Sequence, residues 1–124
     1  MKKHILVVED NPDNMDLIEA YLEDDYRLSF ACDGQEGLNK TIDEKPDLVL
    51  LDISLPKMDG TQVIQEIRKL SYISDTPVIA LTAHAMLGDR EIFLKQGFDE
   101  YLSKPIEDED ILIELIESLF KKGK

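Results

Sequence analysis

Four apolar stretches of this chain each run into a residue able to do chemistry. Ile5-Leu6-Val7-Val8 leads into Glu9 and Asp10, and Leu48-Val49-Leu50-Leu51 into Asp52. Val78-Ile79-Ala80-Leu81 leads into Thr82, and Tyr101-Leu102 into Ser103 and Lys104. A carboxylate buried without a partner is costly or takes up a proton. Two carboxylates about 4 Å apart repel by about 4 kcal/mol at an effective dielectric of ~20, so three drawn together need a cation. Oxygen-only ligands select a hard ion. An open cluster that keeps waters suits Mg²⁺ better than Ca²⁺, for which the sequence has no loop motif. Lys104 adds a movable positive charge and Thr82 a hydroxyl. Singly, each residue has a duller reading. Asp52 is then a turn residue at a strand end, Glu9 and Asp10 solvated loop acids, Thr82 a β-branched strand residue and Lys104 a surface lysine. The chemistry depends on whether the fold brings them together.

The runs at 5–8, 48–51 and 78–81 are too short for helices and have turn residues nearby, which predicts strands buried on both faces. Residues 26–32 read differently: Leu28, Phe30 and Cys32 fall on one side and Arg27 and Ser29 on the other, as in an edge strand. Residues 101–102 form a very short fifth strand, also suited to an edge. Helical patterns lie between the strands. Asn11-Pro12 supplies a cap and a proline at the first helical position, followed by the stripe Leu17, Ile18, Tyr21, Leu22. Leu38 and Ile42 mark a weaker second helix. Asp59-Gly60-Thr61-Gln62 has capping-box spacing ahead of Val63, Ile64, Ile67 and Leu70. A fourth helix runs through Ile92 and Phe93 and stops near Gly97. The last carries Ile111, Leu112, Leu115, Ile116 and Leu119, with acids in its first turn and Lys121-Lys122 at its end, which matches the helix dipole.

Strands alternating with helices in this way predict an α/β fold, (βα)5: a doubly wound parallel five-stranded sheet with helices on both faces. The three greasiest strands belong inside. That gives the order 2-1-3-4-5 of flavodoxin-like folds, with a switch point between strands one and three. Ligands bind there beyond the carboxyl ends of the strands. By this rule Glu9, Asp10, Asp52, Thr82 and Lys104 line one crevice.

The chain has 124 residues, which predicts a single domain over 1–124 with no output domain. Its 27 acidic and 14 basic side chains give a formal net charge of −13, which disfavours nucleic acid and anionic membranes as partners. A lone cysteine, Cys32, excludes a disulfide framework and fits a reducing, cytoplasmic setting. Lys2-Lys3 ahead of residues 5–8 faintly mimics a signal peptide, but the apolar run is too short and ends on Glu9-Asp10. No segment is apolar for long enough to span a membrane.

In order and spacing, "ILVVEDNPDN", "DLVLLDISLPKMDG", "VIALTAHA" and "YLSKPI" resemble the response-regulator receiver domain, the phosphoacceptor module of two-component signalling and phosphorelays. The resemblance covers essentially the whole chain. The family usually has two aspartates where this chain has Glu9-Asp10; glutamate at the first place is a familiar variant. The resemblance implies Asp52 as phosphoacceptor. It implies Mg²⁺ bound by Asp10 and Asp52, by Glu9 directly or through water, and by the Ser54 backbone carbonyl. Thr82 would bond the phosphoryl group after transfer and Lys104 would pair with it. Tyr101, three residues before Lys104, matches the switch aromatic, and Lys104-Pro105 matches a peptide bond commonly cis in the family. The implied donor is a phosphohistidine on a histidine kinase or histidine phosphotransfer protein. The implied output is a downstream protein that meets the fourth helix, fifth strand and fifth helix. Such a module is not a classical enzyme, being limited to Mg²⁺-dependent self-phosphorylation and slow self-dephosphorylation.

Ser54 and His84 each lie two residues beyond a site residue and are expected to tune the lifetime of the acyl phosphate. Asn14, Met15, Pro105 and Ile106 are expected to form the rim that meets the donor, methionine being common on adaptable surfaces. Three rival functions share parts of this pattern. A haloacid-dehalogenase-like phosphatase needs a second aspartate two residues after the first, where this chain has Ser54. A nucleotide or flavin binder needs a glycine-rich loop after the first strand, where Asn11-Pro12 stands. A docking module without phosphorylation is expected to have a broken acid set, and this one is intact. The chain reads as a stand-alone regulator acting by protein contact, the alternative being a receiver excised from a hybrid histidine kinase or larger regulator.

Overall fold

A computed structural model describes residues 2–83, 89–104 and 106–122. His84 and Pro105 lie outside these residues. The elements alternate strictly: β1 (His4–Val8), α1 (Pro12–Leu22), β2 (Arg27–Ala31), α2 (Gly34–Glu44), β3 (Leu48–Asp52), α3 (Gly60–Lys69), β4 (Val78–Thr82), α4 (Asp89–Gln96), β5 (Glu100–Ser103) and α5 (Glu109–Lys122). All neighbouring strands are parallel, in the expected order β2-β1-β3-β4-β5.

The continuous apolar runs fit this sheet because every residue of β1, β3 and β4 is buried. Side chains alternate between two cores. Leu6, Val8, Val49, Leu51, Val78 and Ala80 pack with Leu38 of α2, with Val63, Ile64 and Ile67 of α3, and with Phe98. Ile5, Val7, Leu48, Leu50, Ile79 and Leu81 pack with Ile18 and Leu22 of α1 and with Leu112, Ile116 and Leu119 of α5. Each fully buried leucine or isoleucine contributes about 1.5–3 kcal/mol relative to exposure. The three inner strands are therefore the rigid part of the molecule.

The caps follow the sequence. Asn11 Oδ1 accepts the N–H of Asp13 at 2.8 Å and starts α1 at Pro12. Asp59 and Gln62 form the reciprocal capping box of α3. At the lower end of the sheet Arg68 acts as a clasp. It donates to the carbonyls of Gly97 (2.9 Å), Ser74 (2.8 Å) and Thr76 (2.7 Å) and to Asp99 Oδ2 (2.9 Å). Asp99 Oδ2 also accepts the N–H of Val78, which ties the starts of β4 and β5 together. Gly97 adopts φ 113° after α4, which an L side chain resists.

Two boundaries and one buried face differ from expectation. β2 stops at Ala31, and Cys32 is an exposed bend residue whose N–H goes to Glu36 Oε1 at 2.7 Å. The chain turns there because Asp33 caps α2, accepting the N–H of Glu36 at 2.8 Å. β5 is four residues long rather than two. Ile111 is 52% exposed, because the inward positions of α5 are Leu112, Ile116 and Leu119 and Ile111 falls on the shoulder.

Candidate active site

Strand register brings the chemistry to one level. Val8 pairs with Leu51, and Asp52 with Leu81, so the residues after β1 emerge beside the end of β3. Thr82 pairs with Ser103, and the Lys104 N–H donates to the Thr82 carbonyl at 2.8 Å, which fixes the lysine at the end of β5. Glu9, Asp10 and Asp52 each offer a carboxylate oxygen, all within 4.8 Å of one another. Glu9 and Asp52 are 0% and 1% exposed, Thr82 is buried, and Asp10 faces outward.

Every buried carboxylate here is matched. Asp52 Oδ1 accepts the N–H of Ser54 at 3.0 Å, and Asp52 Oδ2 accepts from Lys104 Nζ at 2.8 Å. Glu9 Oε2 accepts the N–H of Asn11 at 3.0 Å, and Glu9 Oε1 accepts from Lys104 Nζ at 3.2 Å. Burial pushes the Glu9 carboxyl above its usual range, with the Asp52 charge adding to it and the Asn11 and Lys104 contacts opposing it. Burial works against the Lys104 ammonium, yet hydrogen bonding and charge from Asp52, and then from Glu9, hold its pKa above the usual value. Three carboxylates and one ammonium leave two formal negative charges. Oxygen donors with that surplus, open on the side of Asp10, fit a hard divalent ion such as Mg²⁺.

Close backbone packing holds Asp52 in place. A Cβ on Gly60 would lie 2.5 Å from the Asp52 carbonyl oxygen and 2.8 Å from Ile53 Cα, so only glycine lets α3 begin against the end of β3. The Gly60 N–H closes this approach on the Ile53 carbonyl at 2.9 Å. Between them the loop is tightly bent. Met58 donates its N–H to the Pro56 carbonyl at 2.8 Å around Lys57 at φ 67°, a positive-φ γ-turn. The N-terminus of α2 backs this loop. A Cβ on Gly34 would meet the Met58 carbonyl oxygen at 1.6 Å, and Lys57 Nζ lies 3.6 Å from Asp33 Oδ2. Sequence reasoning missed Asp33, Gly34 and Lys57; the dipeptide Asp33-Gly34, a turn-type pair, is the one local signal that could have pointed there.

The other expected residues divide. Asn14 and Met15 are half-buried in the first turns of α1, and Ser54 is exposed at the rim. Ile106, expected at the rim that meets the donor, lies mostly inside the fold. It is 7% exposed, packs in the core with α1 and α5, and accepts a hydrogen bond from Tyr21 Oη on its carbonyl at 3.1 Å. An isoleucine side chain gains about 1.5–3 kcal/mol by burial, and the apolar cluster of Ile18, Leu22, Leu112 and Ile116 takes it in. Tyr101 is half-buried, its ring 5.5 Å from that of Phe93 on α4, and Phe93 in turn meets Phe98 edge-on at 5.9 Å. His84 and Pro105 fall outside the described residues.

Comparison with known proteins fits this geometry. The chain is 43% identical over 106 residues to the signal transduction histidine-protein kinase BarA of Escherichia coli, covering 85% of this chain and 12% of the kinase. It is 40% identical over 104 residues to a 14.6 kDa protein of Leptolyngbya boryana, covering 83% of this chain and 79% of that protein. It also resembles the receiver domain of a sensor histidine kinase from Pseudomonas aeruginosa, solved with a magnesium ion coordinated in its active-site cleft. The two share 37% identity and a TM-score of 0.87 over 96% of this chain and 98% of that one. Residues 5–117 match the model of the response regulator receiver domain, and the chain belongs to that family.

Proposed function

We propose that Asp52 accepts a phosphoryl group from a phosphohistidine and that the protein relays the change through its contacts with other proteins. The observation that carries this reading is the pairing of buried Asp52 with Lys104 Nζ at 2.8 Å, inside a carboxylate cluster that spans 4.8 Å. Asp10, Asp52, Glu9 and the Ser54 carbonyl would hold Mg²⁺, which when bound supplies positive charge to the transferring oxygens. A carboxylate oxygen of Asp52 forms the new O–P bond as the P–N bond of the donor breaks, and the departing imidazole takes a proton from solvent. Lys104 moves its ammonium from carboxylate to phosphoryl oxygen, and the Ser54 N–H keeps the Asp52 carboxyl oriented. Thr82 then hydrogen-bonds the phosphoryl group, and Tyr101 follows it. A full population switch needs about 5.5 kcal/mol of preference for one state, which several charge-assisted hydrogen bonds to phosphate supply. Ser54 and His84 set water access to the acyl phosphate, and Asn14, Met15, Pro105 and Ile106 form the rim that meets the donor.

Similarity to sensor histidine kinases supports a histidine kinase or histidine phosphotransfer protein as donor. The output surface is α4, β5 and α5. The small Leptolyngbya boryana protein, matched over most of its length, supports a receiver that acts as a stand-alone protein. The 12% coverage of BarA supports the second reading, a receiver within a hybrid kinase. Among the described residues no helix is long and apolar enough to cross a membrane.

Incubation with Mg²⁺ and either a phosphorylated phosphotransfer protein or acetyl phosphate tests the proposal. The expected result is one base-labile phosphate on Asp52, absent in Asp52→Asn. Steady release of phosphate from unrelated monoesters, with no phosphate retained, would favour a phosphatase instead.

A further inference from the structure

Along the outer edge of β5 runs an apolar groove. Two adjoining pockets of about 360 and 370 Å³ share Leu102 and Ile111. Ile106 closes the floor of one and Leu115 lines the other. Ile111 is 52% exposed, an isoleucine left outside the core by the helical period of α5. Among the described residues β5 pairs only with β4, so its second edge faces this groove.

The rim is acidic. Glu107, Asp108 and Glu114 line the pockets and no lysine or arginine does. Asp108 has a local role, its Oδ1 accepting the N–H of Asp110 at 2.9 Å. Glu107 and Glu114 have no ion-pair partner among the described residues, and α5 carries no basic residue before Lys121. Those two acids are left facing solvent beside exposed apolar surface.

We propose that this groove docks a segment of a partner protein in which apolar anchors alternate with lysine or arginine. The proposal deepens the output-face reading and rests on it. A second copy of this chain is disfavoured as occupant, because a two-fold contact would set each acidic rim against its equal, on a molecule of net charge −13. Nucleic acid is repelled by the same charge. A basic amphipathic segment buries Ile111 and Leu102 and places cations beside Glu107 and Glu114, which steers its approach as well as fixing its register.

Two synthetic peptides with identical leucine and phenylalanine positions, one with lysine and the other with glutamate between them, test this against the full ¹⁵N-labelled chain. The lysine peptide is expected to shift the amide resonances of Leu102, Ile111 and Leu115. Ile111→Ser, at an exposed position, is expected to weaken binding about tenfold. Glu107→Lys with Glu114→Lys is expected to reverse the preference between the peptides. Equal binding of both peptides, shifts centred on the acids of α1, or no effect of Ile111→Ser would overturn the proposal. So would dimerisation through this face in sedimentation. Phosphate loading of Asp52, read by mass on the same samples, separates the two readings. Loading without groove binding sinks the docking site alone, and groove binding without loading sinks the acceptor alone.

Discussion

Lys104 donates to Asp52 Oδ2 at 2.8 Å, and the same ammonium reaches Glu9 Oε1 at 3.2 Å. One cation thus balances two carboxylates that solvent barely touches. Lys104→Met removes it and leaves both acids buried and unmatched. Breaking a buried pair by deleting one partner costs about 3–5 kcal/mol. The lysine side chain is 15% exposed, so the lower end applies. A divalent ion bound by the folded state alone offsets part of that loss, by about 2.7 kcal/mol at a hundredfold excess over its Kd. Urea unfolding in chelator and in excess Mg²⁺ measures both. The variant is expected to lose about 3 kcal/mol in chelator and to gain more from Mg²⁺ than the parent does. A loss under about 1 kcal/mol in chelator would show that Lys104 does not hold the pair together.

Gly60→Ala tests the backbone that carries Asp52. The new methyl would sit 2.5 Å from the Asp52 carbonyl oxygen, and backbone, unlike a flexible side-chain end, cannot swing away. Overpacking of this kind costs about 1–3 kcal/mol. The expected result is that loss of stability together with slower phosphate uptake from acetyl phosphate. Loss of stability with an unchanged uptake rate would mean that α3, and not Asp52, absorbs the shift.

Asp59 is the second aspartate of "LDISLPKMDG" and has a different task. Hydrogen bonds from the Thr61 hydroxyl and the Gln62 N–H hold its carboxyl below the ordinary value of 3.8, against a smaller effect of burial. A depressed carboxyl stabilises the fold above its unfolded pKa, and the contribution disappears as pH falls through the folded value. Asp59→Ala is therefore expected to cost about 1 kcal/mol at neutral pH, the usual worth of a helix cap. The gap between variant and parent should close below pH 3.8. Urea midpoints across pH read this directly, and a gap that persists into acid would contradict the capping role. Asp52 should load with phosphate as before.

The sheet order was legible because burial leaves a plain mark: a strand covered on both faces has no polar alternation, and β1, β3 and β4 have none. The site was legible for a related reason, since charged residues that abruptly end such runs must emerge at strand ends. What escaped has no period to read. Gly34 against Met58 and Lys57 against Asp33 are contacts between a helix start and a distant loop, set by backbone proximity rather than local pattern. Ile106 is followed at once by four acids, Glu107 to Asp110, which hide the fact that the core extends to it. Ile111 and Leu112 look alike in a helical stripe, and only the seating of α5 on the sheet shows that Leu112 turns inward and Ile111 falls on the shoulder.

Tyr101 offers a readout of the switch. Its ring lies 5.5 Å from Phe93, carried by α4, a helix with no fully buried residue. Such a helix is held by few apolar contacts, and losing one should register along it. If Thr82 moves toward a phosphoryl group on Asp52, Tyr101 leaves Phe93 and its ring environment changes. A fluorotyrosine at Tyr101 is expected to shift its ¹⁹F resonance when Asp52 is loaded from acetyl phosphate. In Thr82→Ala, Asp52 is expected still to load while the resonance stays near its starting position, because the hydroxyl that links the two is gone. An unmoved resonance with Asp52 fully loaded would remove Tyr101 from the switch. An equal shift in Thr82→Ala would keep Tyr101 as a reporter but route the change through α4 rather than through Thr82.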